Sequence, residues 1–270
     1  MTAPRGIPIA LTIAGSDSGG GAGIQADLKT FHQFGVFGTS VLTAVTAQNT
    51  LGVHGWEAVS AALVAAQLDA VASDLRPAAI KSGMLADVAV ISAIAAGVTR
   101  HGLRPYVLDP VMVATSGDPL ITPDAIGAIT AQLFPLAALV TPNLDEAALL
   151  LGVAVDSVDA MHGAAERLVR DFGAAAALVK GGHLTGDDAV DVLYSGGEWT
   201  VVRHPRIATT STHGTGCTLS SAITALLARG YALSDAVRGG LAFVHRAIRE
   251  APGLGRGHGP LNHFVASTSE

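Results

Sequence analysis

Six residues, His213-Gly214-Thr215-Gly216-Cys217-Thr218, put two glycines and the chain's single cysteine just ahead of an apolar, small-residue helix, expected over 219–229. Glycines at a helix start let backbone N–H groups point at one spot, and the helix dipole favours an anion there. A thiol at the mouth of such a nest adds a nucleophile or base, which suits phosphoryl transfer. Taken alone, the same six residues are equally a glycine turn before a core helix, with Cys217 packed as a small hydrophobe. The rest of the chain has to decide.

Chemistry-bearing residues recur where short apolar runs stop. The loop Gly15 to Gly23 carries five glycines and Asp17, and Asp27 follows it. It lacks the spacing of a dinucleotide fingerprint, and reads instead as a loop that brings backbone and carboxylates to a small ligand. Gln48 ends an extended run; its amide donates and accepts at once, which suits the edge of a heterocycle, although Gln48 and Asn49 also suit a turn. Met84 is core filler or an adaptable pocket wall. Asp109 ends a strongly apolar run, where open α/β sheets place ligands, and is suited to a hard cation or its water. Asn143 and Glu146, three apart at a helix start, share one face: they hold Mg²⁺ through water, or they form a capping box. Lys180, before two glycines, is a phosphate contact or a solvated turn residue.

The elements that must carry these residues alternate. Strands are expected over 7–14, 36–47, 78–85, 105–112, 137–143 and 175–179, and helices over 24–34, 56–73, 88–100 (capped by Asp87), 157–172 and 233–249. In the second helix the apolar stripe is read as Val59, Leu63, Ala66 and Ala70, and a further helix starts at Thr122-Pro123-Asp124. Ser195-Gly196-Gly197 joins a hairpin of 189–194 with 198–202. Residues 253–264 read as loop, and 265–270 as a frayed tail. This βα alternation predicts a mostly parallel sheet with helices on both faces, in one domain spanning 1–270. The candidate residues then converge on one sheet edge.

Composition narrows the function. With 49% hydrophobic and 14% charged residues, the 270-residue chain is not a disordered one. A net charge of −6, no Lys/Arg cluster and 4% aromatics argue against nucleic-acid and anionic-membrane partners. A lone cysteine fits a reducing compartment, and no apolar run reaches membrane-span length. The mean hydropathy of +0.45 is read as an alanine-rich soluble core.

Taken together, these motifs resemble the hydroxymethylpyrimidine/phosphomethylpyrimidine kinases of thiamine biosynthesis, in the ribokinase-like superfamily. The matching stretches are Ala14 to Lys29, Thr43 to Val53, Leu108 to Ala114, Thr141 to Ala147, Val179 to His183, His213 to Ser221 and Gly259 to Phe264, so the likeness covers nearly the whole chain. The resemblance implies a three-layer αβα fold without a large separate lid. It implies an ATP- and Mg²⁺-dependent kinase that phosphorylates 4-amino-5-hydroxymethyl-2-methylpyrimidine and then its monophosphate. It places the base on Cys217, expected as partial thiolate at the helix N-terminus, and the anion hole on Gly214, Thr215 and Gly216. Substrate contacts fall on Gln48, Met84, Val111, Ala22, Asp27 and Gly15. Triphosphate contacts fall on Lys180, Asn143, Thr212 and His213, and the metal on Asp109 and Glu146 through water. Ser82 departs from the family's usual Ile or Thr, which raises the expectation of an altered pocket floor. A homodimer, a cytoplasmic location and room for a monovalent cation follow from the same resemblance. Two rivals stand beside it: a pyridoxal or pyridoxine kinase, and a vitamer-binding protein without catalysis. The intact set of Asp109, Glu146, Lys180 and Cys217 argues against the second.

Overall fold

A nine-stranded sheet runs through the protein in the order β3-β2-β1-β4-β5-β6-β7-β8-β9. The computed structural model describes residues 6–112 and 123–267. The strands are β1 (Ile9–Ser16), β2 (Phe37–Asn49), β3 (Gly52–Ala58), β4 (Ala79–Ser82), β5 (Tyr106–Leu108), β6 (Leu139–Val140), β7 (Ala176–Gly181), β8 (Asp188–Ser195) and β9 (Glu198–Pro205). Pairings from β2 through β7 are parallel; β3 and the β7-β8-β9 meander are antiparallel. The chain leaves β1 for β2 on one side and returns to β4 on the other. That reversal is the kind of topological switch point where open α/β sheets bind ligands.

Alternation along the strands builds two cores. Leu11, Ile13, Ile80, Leu108, Val140 and Val179 face one layer, while Ala10, Val107, Leu139 and Leu178 face the other. The first layer is α2 (Ala61–Asp74), α3 (Val88–His101), α4 (Pro123–Gln132), α5 (Leu144–Leu151) and α6 (Val158–Arg170). The second is α1 (Gly23–Gln33), α7 (Thr215–Ala228) and α8 (Leu233–Arg249). This is the expected αβα arrangement with a mostly parallel sheet.

Several local expectations are corrected. Residues 56–58 belong to β3, and the helix starts at Ala61, after Ser60 accepts a hydrogen bond from the Leu63 N–H. Val53 and Trp56 are strand formers, and pairing with β2 holds them extended. The buried stripe of α2 is Val64, Leu68 and Ala72, while Leu63, Ala66 and Ala70 are exposed. Both sets have helical spacing in this alanine-rich stretch, so periodicity could not choose between them. α7 begins at Thr215, four residues before the expected start, which puts Cys217 in its first turn. The tail is tied down as far as it is described: Val265 is buried, and its carbonyl accepts from the Gln33 side chain. Thr122, residues 113–114 of one family-like stretch, and residues 268–270 lie outside the described residues.

Candidate active site

Parallel strands deliver their last residues to one edge, and the helix α7 points its N-terminus at the same place. Gly15 and Gln48 end β1 and β2, Gly83 and Asp109 follow β4 and β5, Asn143 follows β6, and Lys180 lies near the end of β7. All six line one cavity of about 860 Å³. The sheet order spreads them: Gln48 and Met84 stand at one end, Pro205, Arg206 and His245 at the other, and α7 opens between.

The start of α7 is an uncapped helix terminus. Gly214 is the N-cap with φ of +82°, no side chain caps it, and the first turn holds no acidic residue. A Cβ on Gly214 would lie 1.9 Å from the Gly21 carbonyl oxygen, so only glycine brings this turn against the β1–α1 loop. Thr215 spends both its N–H and its hydroxyl on the Thr212 carbonyl. The N–H groups of Gly216 and Cys217 find no backbone acceptor among the described residues and stay available to an anion. The C-terminal segment braces this turn: His213 N–H donates to the Gly259 carbonyl, and Thr218 hydrogen-bonds His263.

Asp17 organises the glycine loop. Its carboxylate accepts from the N–H groups of Gly19, Gly21 and Ala22, and meets His213 Nε2 at 2.9 Å. Burial alone would raise its pKa; the His213 and backbone hydrogen bonds outweigh that and hold the carboxyl below its ordinary value. The neighbouring Gln48 side chain lies 3.3 Å from His213 Nε2. Asn49, by contrast, is the turn former, accepting from the Leu51 N–H. Met84, Val111, Ala22 and Gly15 complete an apolar end beside Gln48.

Asp109 and Lys180 form the charged middle. Lys180 Nζ is 2.9 Å from Asp109 Oδ1 and 4.0 Å from Glu146 Oε2. Thr141 also donates to Asp109, at 2.9 Å. Burial raises the Asp109 pKa, but Lys180 and Lys81 overcome it, so the group is an anion. Burial pushes Glu146 up to about 7 against the pull of Lys180, with Asp109 adding to the rise. Asn143 and Glu146 do form the capping box, each side chain accepting from the other's backbone N–H at 2.8 Å. Both still line the cavity. No cluster of three His, Cys, Asp or Glu side chains suited to a metal occurs among the described residues. Asp109 and Glu146 offer acidic oxygens to the cavity, the donor type that Mg²⁺ takes while keeping waters.

Three site expectations are corrected. Asp27 does not reach the cavity: it is fully buried, ion-paired to Lys81 at 2.9 Å, and accepts from Thr12 and Ser221. Its position four residues into α1 turns it under the sheet edge rather than over it. Ser82 does not shape a pocket floor, because its hydroxyl is buried against that of Tyr106. Cys217 lines the cavity, but its pKa is shifted opposite to expectation: burial pushes it up to about 11, Lys81 pulls it down, and Asp27 and Asp109 push it up again.

Sequence reasoning missed Lys81, Asp17's organising role and the far end of the cavity. A lysine inside the buried run Ala79-Ile80-Lys81-Ser82 was a visible signal, since charges are rarely buried unpaired. Pro205, Ile207 and Ile248 carry no chemical signature and were not findable by type.

The family model described as phosphomethylpyrimidine kinase matches residues 17–262. A hydroxymethylpyrimidine/phosphomethylpyrimidine kinase of Rhizobium meliloti is 56% identical over 261 residues, covering 95% of this chain and 97% of the relative. The structure of phosphomethylpyrimidine kinase from Clostridium difficile is 41% identical, with a TM-score of 0.79 over 89% of this chain and 99% of that one. The pyridoxal kinase of Staphylococcus aureus in complex with AMP-PCP and pyridoxal is 34% identical, with a TM-score of 0.88 over 96% of this chain and 94% of that one.

Proposed function

The chain belongs to the phosphomethylpyrimidine kinase family, and from that premise we propose that it transfers the γ-phosphoryl group of ATP to 4-amino-5-hydroxymethyl-2-methylpyrimidine and then to the resulting monophosphate. The observation that carries this reading is the single cavity, with an apolar, amide-bearing end at Gln48, a far end at Pro205 and His245, and the uncapped start of α7 between them. The ATP-analogue complex of the Staphylococcus aureus kinase supports ATP as donor.

In this mechanism the acceptor ring lies among Gln48, Met84 and Val111, with the Gln48 amide on its polar edge. Lys180 and the Gly216 and Cys217 N–H groups meet the transferring phosphoryl group and neutralise charge as it develops. The hydroxymethyl oxygen bonds to the γ-phosphorus, the bond to the bridging oxygen breaks, and ADP leaves. In the minor fraction of molecules in which Cys217 is thiolate, its Sγ accepts the hydroxyl proton as the oxygen–phosphorus bond forms. Asp109 and Glu146 are the residues that would hold Mg²⁺, through water, and the ion would supply further charge neutralisation at the phosphates. A homodimer in the cytoplasm completes the proposal, and sedimentation of the purified protein tests the dimer.

Pyridoxal kinase activity is the second reading, favoured by the TM-score of 0.88 to the pyridoxal-bound enzyme. Turnover of ATP with the pyrimidine alcohol and with pyridoxal, measured side by side, separates the two. The proposal expects the higher kcat/KM with the pyrimidine; a preference for pyridoxal contradicts it.

A further inference from the structure

Below the cavity floor lies a fully buried charge cluster that the mechanism above leaves unused. Lys81 and Asp27 are both without solvent exposure, and their ion pair is 2.9 Å long. Three donors reach the Asp27 carboxylate: Lys81 and Ser221 converge on Oδ1, at 2.9 and 2.6 Å, and Thr12 donates to Oδ2. Four elements, β1, α1, β4 and α7, therefore meet at one carboxylate. Burying such a pair is costly, and replacing it by apolar residues is often neutral or stabilising, so stability alone gives a weak account of it.

Its placement supplies another. Ser221 and Cys217 stand four residues apart on α7, on one face of the helix. Ser221 donates to the same Asp27 oxygen that holds Lys81, so the ammonium is anchored at the face of α7 that carries Cys217 one turn earlier. We infer that Lys81 is a positioning residue for phosphoryl transfer: held by Asp27, it presents a fixed, water-excluded positive charge that favours the Cys217 thiolate over the thiol. This rests on the reading of Cys217 as proton acceptor. The other charged groups bearing on the sulfur are Asp27 on α1, Asp109 after β5 and Lys180 on β7. The N–H of Gly23, at the start of α1, also points at it. Lys81 is the largest of the influences that lower the thiol's proton affinity, and Asp27 the largest charged one that raises it.

The single cysteine makes the test direct, because alkylation of the intact protein reports one thiol. At about pH 9, below the thiol's titration, the iodoacetamide rate follows the thiolate fraction, so each unit rise in pKa slows it about tenfold. Lys81→Met is expected to slow alkylation at least about tenfold and to lower kcat for the alcohol, with the KM for ATP unchanged. Lys81→Arg, which keeps the charge, is expected to restore much of both. If Lys81→Met fails to fold, the double variant Lys81→Met, Asp27→Asn removes both charges from the interior. There alkylation is slowed by a smaller factor, because removing the Asp27 anion offsets part of the loss of Lys81. A folded variant that lacks Lys81 and alkylates at the wild-type rate overturns the inference. Because alkylation needs neither substrate nor turnover, slowed alkylation with an unchanged kcat overturns the inference through the base role of Cys217, whereas unchanged alkylation overturns it at Lys81 itself.

Discussion

At the scale of single residues, the proposed reaction puts specificity on one side chain and proton transfer on another. Gln48 is the one amide at the apolar end of the cavity, beside Met84 and Val111. Gln48→Leu is expected to raise the KM of the pyrimidine about tenfold to a hundredfold, by stranding polar ring atoms, while leaving the KM of ATP near wild type. Equal loss of both would mean a folding defect. Partial burial in the cavity wall pushes the Cys217 thiol up to about 11, so as a base it acts from a small thiolate fraction. The sign follows: thiolate grows as pH rises toward that value, so log kcat for the alcohol is expected to climb by about one per pH unit above neutrality. A flat profile there removes the base. The sequence set Cys217 at a glycine-opened helix start, where the first turn of α7 holds it, and pointed to a lowered pKa where burial raises it. A helix N-terminus lowers a thiol's pKa, yet burial raises this one, and the charges of Lys81, Asp27 and Asp109 that act on it are distant in sequence and brought there only by folding. Asp27 itself was misplaced for the same reason: a carboxylate near a glycine loop reads the same whether it faces the ligand or the core.

At the scale of elements, the site depends on how closely two loops approach. Gly214→Ala would force a Cβ onto the Gly21 carbonyl at a φ of +82°. It is expected to cost at least about 2 kcal/mol, seen as a lower melting temperature, and to abolish turnover by pushing α7 from the β1–α1 loop. On the β7–β8 pair, Asp191 is buried and accepts from the Gly181 N–H at 3.1 Å. Burial pushes its pKa from 3.8 up to about 6, against the pull of that N–H and of Lys180. The folded state therefore binds this proton more tightly than the unfolded one. The corresponding stability is full below about pH 4 and is lost as pH rises through about 6. Asp191→Asn, which keeps the acceptor, is expected to be more stable than wild type above pH 6, by as much as about 2–3 kcal/mol, and to flatten the pH dependence in denaturant melts. The boundaries the sequence missed have local causes. Trp56 fits a strand or a helix until β2 pairs with it, and the α2 stripe is ambiguous because alanine occupies both faces.

At the scale of the whole molecule, βα alternation and apolar runs made the sheet, its helical layers and its functional edge legible in the sequence. The far end of the cavity was not, because Pro205, Ile207, His245 and Ile248 come from a hairpin end and the last helix and meet only in three dimensions. If one cavity spans donor and acceptor, an ATP analogue at about a hundred times its Kd is expected to stabilise the fold by about 2.7 kcal/mol, read as a rise in melting temperature. The two acceptors differ in one chemical respect. The alcohol must lose a proton to attack, whereas a phosphate monoester, with a second pKa of about 6, is already ionised at neutral pH. The measurement that bears most directly on the account is therefore kcat of wild type and Cys217→Ala with the alcohol and with its monophosphate as separate acceptors. The account expects the variant to lose about a hundredfold or more on the alcohol and to stay within about threefold of wild type on the monophosphate. Equal losses on both acceptors, or none on either, would contradict it.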